Sequence, residues 1–136
     1  MTEFTFTTTF DPQFRDIDPF GHVNQAVYLS YLEQARTKYW EEVVALRHDR
    51  TPVALVEQTI QYTKPILLDD TVTVAQNVAG MGRSSFELEY EVRTDEGVAA
   101  TAEVVLIAYD PESEAATPIP DEWREPIAEW EGIDES

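Results

Sequence analysis

An α+β domain, one long helix wrapped by a five-stranded antiparallel sheet, is what this 136-residue sequence predicts. Three observations lead there. Only one segment, Gln25 to about Leu46, sustains an apolar spacing of three and four residues. Strand signals occur in five runs, one before that segment and four after it. A single amphipathic helix cannot fill two layers, so the sheet has to curl around it and bury it on most sides.

Each element follows from local pattern. Phe4–Phe10 alternates as a strand, with Phe4, Phe6 and Phe10 on one face. Residues 11–23 form a turn-rich loop, and Asn24 stands where a helix N-cap belongs. The helical stripe is Tyr28, Leu32, Ala35, Tyr39, Val43 and Leu46, and a breaker segment, His48–Pro52, follows it. Val53–Thr63 is a strand stopped by Pro65, and Thr71–Val78 is the next, with Val72, Val74 and Val78 on one face. Gly80-Met81-Gly82 makes a turn. Over Ser85–Arg93, Phe86, Leu88, Tyr90 and Val92 point inward while Glu87, Glu89, Glu91 and Arg93 point outward. Asp95-Glu96-Gly97 signals a hairpin. Val98–Tyr109 is apolar on both parities, as in a strand covered on both sides, and another subunit is the expected second cover. Residues 1–110 therefore read as the domain. Residues 111–136, with Pro111, Pro118, Pro120, Pro126 and many acids, read as an extended acidic tail, partly ordered where Trp123 and Trp130 pin it.

Composition removes several functional classes. The chain has no cysteine, which excludes disulfides, thiolate nucleophiles and cysteine metal sites. No apolar run reaches the roughly 18 residues of a membrane helix. Met1-Thr2-Glu3-Phe4 has neither a basic region nor an apolar core of a secretory signal, so a cytoplasmic location is expected. Asp and Glu number 27 against 9 Lys and Arg, a formal net charge of −18, and only Lys38 and Lys64 are lysines. That field disfavours nucleic acid as a partner. The acids are spread over helix, strands and tail, a pattern that fits a surface adapted to concentrated salt, which screens its self-repulsion.

Chemistry is concentrated in Phe14–Asn24, F-R-D-I-D-P-F-G-H-V-N, which runs straight into the helix. Pro19 fixes φ and Gly21 admits positive φ, so the segment turns. A carboxylate on such a turn faces the unpaired N–H groups and positive dipole end of the helix. An acid can then activate an attacker while the helix end stabilises an oxyanion, an arrangement suited to hydrolysis of an acyl compound. Tyr28 is near enough to the loop to line the pocket.

The pattern D-x-D-P-x-G-H-V-N, with Tyr28, Tyr31, Glu33, Ala35 and Arg36 behind it, resembles the hotdog-fold acyl-CoA thioesterases of the 4-hydroxybenzoyl-CoA thioesterase type. The likeness runs on through Tyr62-Thr63-Lys64-Pro65, Asp69-Asp70, Gly82-Arg83-Ser84-Ser85-Phe86 and Val98–Tyr109. It implies the hotdog fold, an acyl-CoA substrate, no cofactor and no metal, and homodimers or homotetramers with sites at subunit interfaces. It puts the catalytic acid on Asp18, the oxyanion donor on the backbone N–H of Gln25, and coenzyme A contacts on Arg83 and Ser84. Many relatives have asparagine where Gln25 stands, a change that leaves a backbone donor in place.

Structural readings stand beside these roles. Asp16 suits an Asx-turn or a pair with Arg15. His22 suits a loop histidine that shapes the turn, supporting catalysis at most as a shuttle. Asn24 is a cap as well as a candidate substrate ligand. Glu33 is expected to pair with Arg36 or Lys38 on the helix surface, and His48 to be solvated. Two alternatives to thioester hydrolysis remain: an enoyl-CoA hydratase or dehydratase using Asp16 or Asp18 with His22, and a non-catalytic acyl-thioester-binding protein.

Overall fold

The computed structural model describes residues 4–46 and 52–134. Its elements are β1 (Phe6–Phe10), a 3₁₀ turn (Phe14–Asp16), α1 (Gln25–Tyr39) running into a π-type turn (Trp40–Val44), β2 (Val53–Tyr62), β3 (Val72–Met81), β4 (Ser85–Thr94), β5 (Gly97–Asp110), β6 (Ala115–Ala116) and α2 (Asp121–Glu131). The five expected strands pair antiparallel in the order β1-β3-β4-β5-β2, and β6 adds a short sixth beside β5. His48 lies outside the described residues.

One core joins α1 to the inward faces of β3, β4 and β5. Leu32, Ala35 and Tyr39 meet Val72, Val74, Val78, Phe86, Leu88, Tyr90, Val92, Val104 and Leu106 there. The alternation over β4 is as the sequence predicts, with Phe86, Leu88, Tyr90 and Val92 buried. Gln76 is fully buried among these groups, and its amide donates to the Ala35 carbonyl at 2.7 Å, tying β3 to α1.

Several expectations are corrected. The helical stripe slips at its end: Trp40 and Val44 are buried, whereas Val43 and Leu46 are only half-buried. The wider π-type turn rotates the buried face by one residue, and Ala45, at φ 62°, stops the helix. Nor is α1 enclosed on most sides, because Gln25, Ala26, Leu29, Ser30, Glu33 and Gln34 face outward. Phe4 precedes β1 and departs from the Phe6 and Phe10 face, its ring lying 5.5 Å from the Arg93 guanidinium. Strand β3 extends through Gly80 and Met81 by means of a bulge, which moves the turn to 82–84.

The extended reading of the tail fails over 121–131, which form α2. Pro120 caps it, Asp121 and Glu122 complement the dipole in its first turn, and Gly132 closes it at φ 71°. Trp123 and Ile127, one turn apart, are buried in the core. Pro126 inside the helix disguised the pattern. Glu131 then fastens the last turn. Its carboxylate accepts from Tyr39 Oη at 2.5 Å, from the Val78 N–H at 2.9 Å and from Thr5 Oγ1 at 2.9 Å.

Candidate active site

The Phe14–Asn24 loop is a small closed hairpin. Ile17 bridges Val23, the Asp18 N–H donates to the His22 carbonyl at 2.8 Å, and the Asn24 N–H donates to the Asp16 carbonyl at 2.8 Å. Gly21 sits at φ 87°, where an L side chain is strained, and its N–H returns to the Asp18 carbonyl at 3.0 Å. The Val23 N–H anchors the loop to Ile66 at 2.8 Å.

Inside that turn the Asp18 carboxylate is oriented by backbone. Its Oδ1 accepts from the Phe20 N–H at 2.9 Å and from the His22 N–H at 3.2 Å. Oδ2 makes no hydrogen bond among the described residues. The carboxylate is therefore fixed in direction with one oxygen left for chemistry. It lines a cleft of about 400 Å³ together with Phe20, His22, Val23, Asn24, Gln25, Tyr28, Tyr62 and Pro65.

The helix start supplies the second half of the arrangement. Asn24 caps α1, its Oδ1 accepting from the Ala26 N–H at 2.8 Å, and its carbonyl takes the Val27 N–H at 2.9 Å. Among the described residues the Gln25 N–H has no acceptor. A free donor thus stands at the positive end of a 15-residue helix, on a residue that lines the same cleft as Asp18. Burial pushes the hydroxyls of Tyr28 and Tyr62 above the ordinary tyrosine value, so both are neutral donors at neutral pH.

The remaining acids and bases sort differently. Asp16 does not enter the cleft; its Oδ2 accepts from the Gln13 N–H at 2.8 Å and closes the 3₁₀ turn. The expected Glu33 ion pair is absent among the described residues. Arg36 donates instead to Tyr90 Oη at 3.2 Å, and Lys38 pairs with Glu41 at 3.8 Å.

Arg83 and Ser84 are not brought to Asp18. Their turn adjoins Ala108 of β5 and Ile119, whereas the cleft adjoins Tyr62, which pairs with Ala100. Ala100 to Ala108 is about eight residue steps of strand, roughly 26 Å at about 3.3 Å each. Tyr62, which the sequence places in the family likeness without a role, closes the cleft from the sheet side. Its signal was parity: Ile60 and Tyr62 share the inward face of β2, just before the Pro65 break. Among the described residues no cluster of three His, Cys, Asp or Glu groups has metal-binding geometry, and no helix there is long and apolar enough to cross a membrane.

Comparison with known proteins agrees with this architecture. Residues 12–130 match the family model described as the thioesterase-like superfamily. A thioesterase from Thermus thermophilus, solved with coenzyme A and zinc, is 36% identical; the match covers 97% of this chain and 98% of that one, with a TM-score of 0.88. The acyl-CoA thioester hydrolase YbgC of Escherichia coli O6:H1 is 27% identical over 103 residues, 72% of this chain and 77% of that protein. YsmA of Bacillus subtilis, an uncharacterized protein, is 25% identical over 128 residues, 93% of this chain and 87% of its own length. With the family-model match spanning the loop, the long helix, strands β2 to β6 and nearly all of α2, the chain belongs to the thioesterase-like superfamily.

Proposed function

We propose that this chain hydrolyses acyl-CoA thioesters to a free acid and coenzyme A. The observation that carries the reading is the pairing, in one cleft, of a backbone-oriented carboxylate with a free oxygen and an unsatisfied helix N-terminal N–H. Asp18 Oδ2 takes a proton from water as the water oxygen bonds to the thioester carbon, or bonds to that carbon itself and is released by water afterwards. In either route the carbonyl oxygen gains negative charge, and the Gln25 N–H is the donor for it. The C–S bond then breaks, and coenzyme A leaves as thiolate. Asn24 holds the helix start, Tyr28 lines the acyl side, and His22 supports the turn with its backbone, its ring standing at the cleft edge. Coenzyme A bound to the Thermus thermophilus thioesterase supports the substrate class.

The working unit in this reading is a homodimer or a pair of dimers. Strand β2 is a sheet edge, and Leu55, Val56 and Tyr62 are 51%, 57% and 44% exposed along it. Such an open apolar edge is a template for another strand. Two copies pairing β2 antiparallel about a twofold axis set the Val53 end of one against the Tyr62 end of the other. That pairing carries the Arg83–Ser84 turn of the partner subunit toward Asp18, where Arg83 would meet a coenzyme A phosphate.

The test is thiol release from an acyl-CoA panel in molar salt, read with a thiol reagent. Release of stoichiometric coenzyme A supports the reading. Loss of enoyl absorbance without thiol would replace it by hydration, and saturable binding with neither signal would make the chain a binding protein.

A further inference from the structure

We propose that Tyr62 positions the first turn of α1 and sets the size of acyl group the site accepts, an inference that rests on the thioesterase reading above. Tyr62 ends the edge strand β2, and two parts of its side chain reach two parts of the site. The hydroxyl donates to the Gln25 carbonyl at 3.2 Å. The ring meets Tyr28 edge-on, with centroids 4.9 Å apart, and forms a wall of the Asp18 cleft.

The hydroxyl matters because of where it lands. The peptide that carries the Gln25 N–H is held at its other end, where the Asn24 carbonyl accepts from Val27 at 2.9 Å. The next peptide is held at the Gln25 carbonyl, which the α1 ladder engages and which Tyr62 reaches as a second donor from the sheet. With both flanking peptide planes fixed, the direction of the Gln25 N–H is fixed too. A donor that must point at a developing charge gains from such fixation. Asn24 secures one side from the helix; Tyr62 secures the other from the sheet.

The ring matters because its neighbours on the sheet are too small to replace it. Directly across β5 lies Ala100, and Ala102 follows on the same face, each with a single side-chain carbon. Tyr28, which forms the facing wall, is itself tethered, its hydroxyl donating to the Lys64 carbonyl at 3.3 Å. Removing the Tyr62 ring would leave space that these neighbours cannot fill, open to the cleft. Pattern alone does not single Tyr62 out, because it contributes no motif chemistry, only bulk and one hydroxyl at the end of a strand.

The experiment measures kcat and KM by thiol release for acetyl-, hexanoyl- and benzoyl-CoA with the wild type, Tyr62→Phe, Tyr62→Ala and Tyr62→Trp. Tyr62→Phe should lower kcat by about threefold to tenfold, the scale of one neutral hydrogen bond, with KM and acyl preference unchanged. In Tyr62→Ala the ratio of kcat/KM for benzoyl- over acetyl-CoA should rise by about tenfold or more, and in Tyr62→Trp it should fall. Loss of packing alone would lower kcat/KM equally for all three thioesters, so a ratio that stays within about twofold in both Ala and Trp variants overturns the inference. A Phe variant with wild-type kcat overturns the role of the hydroxyl. Should Tyr62→Ala fail to fold, the opposite shift in Tyr62→Trp still decides. A wild type that releases no thiol from any acyl-CoA refutes the thioesterase reading itself, before any variant is made.

Discussion

Replacing Asp18 by Asn separates chemistry from architecture. The amide keeps an Oδ1 that accepts the Phe20 and His22 N–H bonds now made at 2.9 and 3.2 Å. Both bonds persist, so the turn persists, and the stability change should stay within about 1 kcal/mol, or roughly 3–4 °C in melting temperature for a chain of this size. What the amide lacks is an oxygen able to take a proton or to attack. Loss of a general base typically costs about 10²–10⁴ in rate, equivalent to about 3–5 kcal/mol of barrier. Turnover should therefore collapse while KM and melting temperature hold. Asp18→Ala supplies the contrast: it removes the two turn hydrogen bonds as well, so it should melt lower with no further loss of turnover. Thiol release and thermal melting of the same preparations give both readings. Near wild-type turnover in Asp18→Asn, together with its loss in Asp16→Asn or His22→Ala, would refute the assignment.

Four other outcomes follow from the structure. Glu131→Ala strips an acceptor from the buried Tyr39 hydroxyl and Val78 N–H, each worth about 1–3 kcal/mol unsatisfied, so melting should fall by roughly 10 °C, and less in Glu131→Gln, which retains an acceptor; equal melting of Ala variant and wild type would contradict this. The Tyr31 hydroxyl is buried without a hydrogen-bond partner among the described residues, and burial, with Asp16 and Tyr28 adding, holds it up at about 12. Its titration therefore leaves stability unchanged below the unfolded value of about 10 and lowers it as pH climbs from there through about 12. Tyr31→Phe should melt no lower than wild type at neutral pH and should flatten the alkaline decline, as melting curves across that window would show. Raising salt to about 1 M shrinks the Debye length from about 10 Å to about 3 Å. A chain at −18 should then melt higher and show a lower KM for an acyl-CoA, and a fall in melting temperature with a rise in KM would count against salt adaptation. Sedimentation in molar salt should give a dimer or tetramer, and an active monomer would remove the proposed contribution of Arg83 from a partner subunit.

Local chemistry made much of this protein legible in its sequence. The Asp18–Asn24 turn needs only a short acceptor side chain, a proline and a glycine with positive φ, all contiguous, so its geometry follows from neighbours in the chain. The cap at Asn24, the alternation of β4 and the succession of one strand, one long helix and four strands are likewise properties of short windows or of simple layer packing. Long-range contacts decided the rest. Helix α2 forms despite Pro126 because Trp123 and Ile127 find the core and Glu131 finds donors on three other segments, none of them adjacent in sequence. The π-type turn moves burial from Val43 to Trp40 and Val44 because the sheet on which those side chains pack selects which face points inward. Distance between sites is the clearest case. The resemblance assigns Asp18 and Arg83 to one acyl-CoA site, yet within one chain antiparallel pairing sends their neighbourhoods to opposite ends of β5, because strand register, not sequence pattern, fixes where each hairpin ends.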